Sequence, residues 1–158
     1  MDVLWQELTR GLPDGRQLAI VLIRVIAAML LGGIIGMQRE KARKPAGLRT
    51  HMMVCLGTAV VVLACIASSM DTSALSRVVQ GIVTGIGFIG AGSILKLSEQ
   101  REIRGLTTAA GLWVTAAIGV AVGLGSLGLA LIGTALTLLV LGVVGAIEAR
   151  IEKRQQNL

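Results

Sequence analysis

GIVTGIGFIGAGSILK (residues 81–96) and RGLTTAAGLW (residues 104–113) flank a short charged loop in the middle of this chain. Both are apolar stretches that contain glycine or threonine, residues that do not stabilise the interior of a helix. Each glycine inside a helix costs roughly 1 kcal/mol relative to alanine. The first stretch contains Gly81, Gly85, Gly87, Gly90 and Gly92. Such a density predicts close backbone packing between helices, a broken helix, or both.

The composition is that of an integral membrane protein. The 158 residues are 54% hydrophobic and 15% charged, with a mean hydropathy of +0.79, outside the range of soluble domains. Five apolar runs each approach the roughly 20 residues that a helix needs to cross the hydrocarbon core. They cover residues 17–37, 50–69, 77–96, 106–123 and 126–147. We therefore expect an all-α membrane protein with one domain, residues 1–158, folded as a compact bundle of five transmembrane helices.

The basic residues indicate the orientation of this bundle. Eleven of the fifteen Lys and Arg residues lie in the loops at 38–49 and 96–105 or in the tail after residue 147. The positive-inside rule then places the N-terminus outside and the C-terminus in the cytoplasm. The tail is expected to continue the fifth helix beyond Ile147, and the segment Val3–Leu8 either lies on the outer interface or frays.

The same charges predict the molecular surroundings of the protein. Basic residues beside apolar runs favour anionic lipid headgroups as partners. Nucleic acid is not expected, because a chain with no tyrosine and one phenylalanine lacks the aromatic residues on which bases stack.

The glycines admit several interpretations. The string from Gly85 to Gly90 satisfies G-x-G-x-x-G, but it lacks the preceding strand and the α/β sheet that dinucleotide binding requires. Small residues four apart favour close helix packing instead. The pairs are Gly81 with Gly85, Gly87 with Ala91, Gly32 with Gly36, and Gly119 with Gly123. Any such face left uncovered is expected to form a homodimer. The alternative is local unwinding around residues 85–92 that presents backbone carbonyls to an ion.

The polar block QREKARKPAGLRTH at residues 38–51 forms the first basic loop. Pro45 and Gly47 stop the helix, and Thr50 is expected to cap the second span. Glu40 lies among five cations and is expected to form an ion pair. The candidate partners are Arg39, Arg49 and Arg104. A clamp between loops and a polar site are both open interpretations.

Other polar residues lie inside or at the ends of the spans. Arg24 is expected either to snorkel to the outer interface or to pair with Asp71. The third span carries Arg77 and Gln80 near its start. The fourth begins with Arg104, Thr107 and Thr108, whose hydroxyl groups serve either as contacts between helices or as ligand contacts.

The sequence contains no recognisable set of catalytic residues. There is no nucleophile elbow, no HExxH and no pair of intramembrane carboxylates. His51, alone at a helix start, is expected to be a hydrogen-bonding residue rather than a catalyst. Cys55 and Cys65 are about 15 Å apart along a helix, too far for a disulfide. We expect no enzyme and no cofactor, and the sequence identifies no metal site.

Four motifs in this order resemble the transmembrane domain of the MgtC/SapB family of bacterial membrane proteins. They are GIIGMQRE at 33–40, KPAGLRTH at 44–51, GIGFIGAGSI at 85–94 and RGLTTAAGLWVTAAIG at 104–119. The resemblance implies an inner-membrane protein linked to low magnesium, acid stress or virulence. It also implies regulation of other membrane proteins, such as the F-type ATP synthase. The best-known members carry a soluble ACT-like C-terminal domain, which we do not expect here.

The resemblance also implies which polar positions matter. They are Arg39, Glu40, Arg49, Thr50, Arg77, Gln80, Arg104, Thr107 and Thr108. Gln38 departs from the family pattern, which commonly has an acid there, and this weakens a paired-acid cation site.

Two functions follow as hypotheses. In the first, a non-enzymatic five-helix protein, expected to be dimeric, modulates a membrane partner or ion homeostasis under magnesium or acid stress. In the second, it transports cations or protons along the third span and the start of the fourth.

Overall fold

The computed structural model describes residues 14–97, 102–145 and 147, so Val3–Leu8 and the tail beyond Ile147 lie outside the described residues. Five long helices dominate. They are α1 (Gly15–Lys41), α2 (Leu48–Ala67), α3 (Thr72–Gly92), α4 (Leu106–Gly123) and α5 (Leu127–Leu139). A π-helical turn, Val140–Val144, extends α5. Between α3 and α4, strands β1 (Leu95–Leu97) and β2 (Glu102–Arg104) form an antiparallel hairpin.

The five predicted spans are confirmed as helices that are long and apolar enough to cross a membrane. Their bounds fit closely except for the third, which was expected over residues 77–96. Asp71 starts α3 earlier, because its Oδ1 accepts a hydrogen bond from the Ala74 N–H at 2.6 Å and so caps the helix. Residues 95–97 belong to the hairpin, where the sequence predicted the end of a helix and a loop.

Gly105 allows the hairpin to lead directly into α4. Its φ angle is +102°, and a Cβ at this position would overlap the carbonyl oxygen of Ser93. Only glycine tolerates both conditions without strain. The sharp connection brings the start of α4 next to the end of α3.

The core lies where α1, α2 and α4 meet. Gly32 and Gly36 let α1 approach α2 so closely that an added Cβ would lie 2.6 Å from the His51 carbonyl oxygen and 2.7 Å from the Leu48 Cα, respectively. Gly119 and Gly123 allow an equally close approach of α4 to α2. These contacts confirm the predicted close packing at both glycine pairs.

Most glycines of α3 do not pack against another helix of the described chain, so their predicted packing role stays a prediction. Added Cβ atoms at Gly81, Gly85, Gly87 and Gly92 would meet no heavy atom within 4 Å, whereas Gly90 faces the Ala109 Cβ at 3.5 Å. The predicted unwinding is wrong, because α3 is a continuous helix through Gly92. A glycine pattern predicts that close approach is possible, but it does not identify which helix is adjacent.

Candidate functional site

A buried arginine joins α1 to α4 at one end of the bundle. Arg39 is in the last turn of α1, yet only 3% of its surface is exposed. Its Nη2 donates to the hydroxyl of the buried Thr108 at 3.1 Å. The structure thus brings together two residues that the sequence singled out separately. We call this end, with residues 42–47 and the hairpin, the basic end.

A second buried pair joins α2 to α4. His51 is fully buried, and its Nδ1 lies 2.8 Å from the Thr115 hydroxyl oxygen. That hydroxyl donates its hydrogen to the Gly111 carbonyl at 2.8 Å, so Nδ1 must be the donor to Thr115. The other ring nitrogen, Nε2, is buried and has no partner among the described residues.

These pairs lie on one face of α4. Thr108, Gly111, Thr115, Gly119 and Gly123 recur every three or four residues and are all buried, as expected for a single helix face. We call this row the α4 seam. It runs along the length of α4 and presents two hydroxyl groups and three glycines to α1 and α2.

Arg24 fixes the opposite end of the seam. Its Nη1 donates to the Gly123 carbonyl oxygen at 2.9 Å, at the C-terminus of α4, where a cation is favoured by the helix dipole. The described contact of Arg24 is therefore this carbonyl rather than Asp71, and snorkelling toward the outer interface stays a prediction. Gly125, with φ of +86°, leaves the space that the guanidinium occupies.

Glu40 braces the loop between α1 and α2. Its exposed carboxylate accepts a hydrogen bond from the Leu48 N–H at 2.8 Å and so caps α2. This role was predicted for Thr50, which is wrong, because α2 already begins at Leu48. The ion pair predicted for Glu40 stays a prediction. Arg49, in the first turn of α2, is exposed.

The remaining predicted site residues do not join this cluster. Arg77 is exposed near the start of α3, where its Nη1 donates to Ser73 Oγ at 2.8 Å. Gln80, Arg104 and Thr107 are exposed on α3, β2 and α4, respectively. The site therefore consists of Arg39 and Thr108 from the predicted set, joined by His51 and Thr115.

Thr115 was missed at the sequence level although a signal for it existed. It follows Thr108 by seven residues, two helical turns, which places both on one face. The contact that Gln38 makes was also not predicted from the sequence. Its Nε2 lies 3.3 Å from the Leu141 carbonyl oxygen in the π-helical turn, and its Oε1 is buried without a partner among the described residues.

The α4 seam itself is uncharged, and an arginine contacts it at each end. Within residues 14–97 and 102–145, no group of three or more His, Cys, Asp or Glu side chains is placed to hold a metal ion. The buried guanidinium of Arg39 lies where a cation would enter the seam from the basic end. A divalent cation would therefore meet repulsion there, in surroundings of low dielectric.

Comparison with known proteins identifies the family. The chain matches the MgtC family over residues 25–150. It belongs to this family. The match includes both buried pairs and the whole α4 seam, so the family resemblance inferred from the four motifs is confirmed.

Several relatives share a large part of the chain. It is 45% identical to Protein SrpB of Synechococcus elongatus, over 82% of this chain and 77% of that protein. It is 41% identical to the Putative magnesium transporter YhiD of Escherichia coli, over 87% and 66%. It is 44% identical to Protein MgtC of Salmonella typhimurium, over 74% of this chain and only 49% of that protein. No solved structure matches the chain.

Proposed function

We propose that this protein is a non-enzymatic component of the bacterial inner membrane that modulates a partner membrane protein and thereby ion homeostasis. The partner would be bound through the uncovered face of α3. The bundle is a multi-pass membrane protein of the MgtC family. The regulatory role is what we propose beyond this family membership.

The observation that carries this proposal is the uncovered glycine face of α3. Gly81, Gly85 and Gly92 lie on one side of α3 and have no described neighbour within 4 Å of an added Cβ, although glycine is unfavourable in a helix. A groove of approximately 440 Å³ lies beside this face, between α2 and α3, and includes Gly57 and Gly85. In a membrane, small residues let a second helix approach closely, so this surface suits a transmembrane helix of another protein.

Photocrosslinking in the native membrane tests the partner. A photoreactive residue replaces Phe88, which is 85% exposed on α3, and a matched variant replaces Leu129, which is 64% exposed on α5. We expect a protein adduct from position 88 and only lipid adducts from position 129. An adduct with another membrane protein supports the proposal, and its mass spectrum identifies the partner, with ATP synthase subunits among the candidates. A second copy of the chain would establish the homodimer instead, and lipid adducts from both positions would refute the partner surface.

Transport is the second candidate, because the α4 seam places buried polar groups along a membrane-spanning helix. The name of the relative YhiD also refers to magnesium transport. Two observations weigh against a magnesium path. Arg39 is a buried cation, and most of the α3 glycines expected to line a path meet no described atom of another helix within 4 Å of an added Cβ. A proton path through His51 and Thr115 is the version that the buried groups favour.

A further inference from the structure

The start of α4 presents hydrogen-bond donors without acceptors. The helix begins at Leu106 after Gly105, an N-cap residue with no side chain to accept a hydrogen bond. The first N–H groups of any helix have no acceptor within that helix, and here they belong to Leu106, Thr107 and Thr108. Together they give this end of an 18-residue helix a partial positive charge.

The buried Arg39 lies against the same helix end. While its Nη2 donates to Thr108, its Nε is buried without a hydrogen-bond partner among the described residues. The Nε–H and one Nη–H of a guanidinium form the fork that binds phosphate and carboxylate groups. Because the Thr108 oxygen accepts from Arg39, its own hydrogen remains available for a further acceptor.

The carboxylate next to Arg39 in the sequence is engaged elsewhere. Glu40, the next residue along the chain, is exposed and accepts from the Leu48 N–H. The exposed side chains around this end are basic instead, and include Lys41, Arg43, Lys44 and Arg49. A buried guanidinium without a counter-charge is unfavourable. An anion with several acceptor oxygens would satisfy the backbone, the guanidinium and the hydroxyl at once.

We propose that the start of α4, together with Arg39 and Thr108, is a binding site for a phosphate group. The phosphate comes either from solution, as free phosphate, or from the headgroup of an anionic phospholipid, since Leu106 and Thr107 are exposed at the surface of the bundle. The site is distinct from the α3 face and does not depend on the proposed function.

The test is thermal unfolding of the purified protein in a neutral detergent. Sodium phosphate is titrated against sodium chloride at matched ionic strength, because a ligand that binds the folded state raises its stability. Thr108→Val removes one hydroxyl donor at nearly constant shape, and we expect about tenfold weaker phosphate binding. Arg39→Gln should abolish the effect. Thr134→Val is the matched control, because this buried hydroxyl bonds only to the Ala130 carbonyl within α5 and its loss should leave phosphate binding unchanged.

A second arm distinguishes the source of the phosphate. The same variants are reconstituted in vesicles of phosphatidylglycerol or of phosphatidylcholine. Stabilisation by free phosphate in detergent identifies a soluble anion. Stabilisation by phosphatidylglycerol alone, reduced in Thr108→Val and Arg39→Gln, identifies a lipid headgroup. If neither phosphate nor phosphatidylglycerol stabilises the protein, or if Thr108→Val responds like Thr134→Val, the proposal is wrong. The comparison of Thr108→Val with Thr134→Val is sufficient to test the proposal, so the conclusion does not depend on whether Arg39→Gln folds.

Discussion

Glycines on α1 and α3 should respond in opposite ways to the same substitution. In Gly36→Ala, the new Cβ would lie 2.7 Å from the Leu48 Cα and 2.9 Å from the Leu48 carbonyl oxygen. Both are backbone atoms that cannot rotate away, so α1 and α2 must separate. In Gly81→Ala, the new Cβ meets no described atom within 4 Å.

The expected magnitudes follow from two competing effects. Overfilling a packed interface costs about 1–3 kcal/mol, and alanine regains about 1 kcal/mol of helix propensity. Because the clash is with backbone atoms, the upper part of this range applies, about 2–3 kcal/mol, and Gly36→Ala should lose about 1–2 kcal/mol of unfolding free energy. Gly81→Ala should gain up to about 1 kcal/mol, because only the propensity term applies there.

Thermal unfolding of the two purified variants in detergent measures this contrast. A loss of about 2 kcal/mol in Gly36→Ala corresponds to a fall of roughly 4–8 °C in Tm for a chain of this size, and a gain of about 1 kcal/mol in Gly81→Ala to a rise of roughly 2–4 °C. The reasoning fails if Gly36→Ala is as stable as the wild type. It fails for α3 if Gly81→Ala is destabilised as much as Gly36→Ala, since that would place a neighbour on the uncovered face.

Three further substitutions test the seam. Thr115→Val leaves the His51 Nδ1–H without its acceptor and should lower the free energy of unfolding by about 1–3 kcal/mol. A change in denaturant unfolding below about 0.5 kcal/mol, roughly that of a neutral surface substitution, would exclude this hydrogen bond. Arg24→Leu removes the hydrogen bond to the Gly123 carbonyl and should cost about 1 kcal/mol, seen as faster hydrogen exchange at the end of α4; unchanged exchange would contradict this. Gly125→Ala places a Cβ at a residue with φ of +86° and should lower the free energy of unfolding by about 1–2 kcal/mol, seen as a lower Tm. An unchanged Tm would show that the turn adopts another conformation.

Local patterns in the sequence were sufficient to predict the helices. A run of about 20 apolar residues can satisfy its backbone in a membrane only as a helix, so the spans required no knowledge of their neighbours. The bounds of α3 shifted because Asp71 caps the helix, a local interaction that hydropathy does not register. The hairpin was missed because its residues carry charges that a loop would carry equally well.

The contacts between helices could not be predicted in the same way. Arg24 was expected either to snorkel or to pair with Asp71, but its described contact is with the C-terminus of α4, which supplies the negative end of a dipole. Gly32 with Gly36 and Gly81 with Gly85 have the same four-residue spacing, yet the first pair packs against α2 and the second meets no described atom within 4 Å of an added Cβ. Arg39 and Thr108 were both selected as candidates, while their pairing across 69 positions depends on how α1 and α4 cross.

Ion flux through the purified protein in proteoliposomes is the measurement that separates regulation from transport. Protons, potassium and magnesium are tested separately under an imposed gradient, with insertion and folding verified. A protein that acts on a partner should give no flux above that of empty liposomes. A selective flux that is lost in Glu40→Gln or in Thr115→Val, while both variants remain folded, would contradict the proposed regulatory function and establish the protein as a transporter.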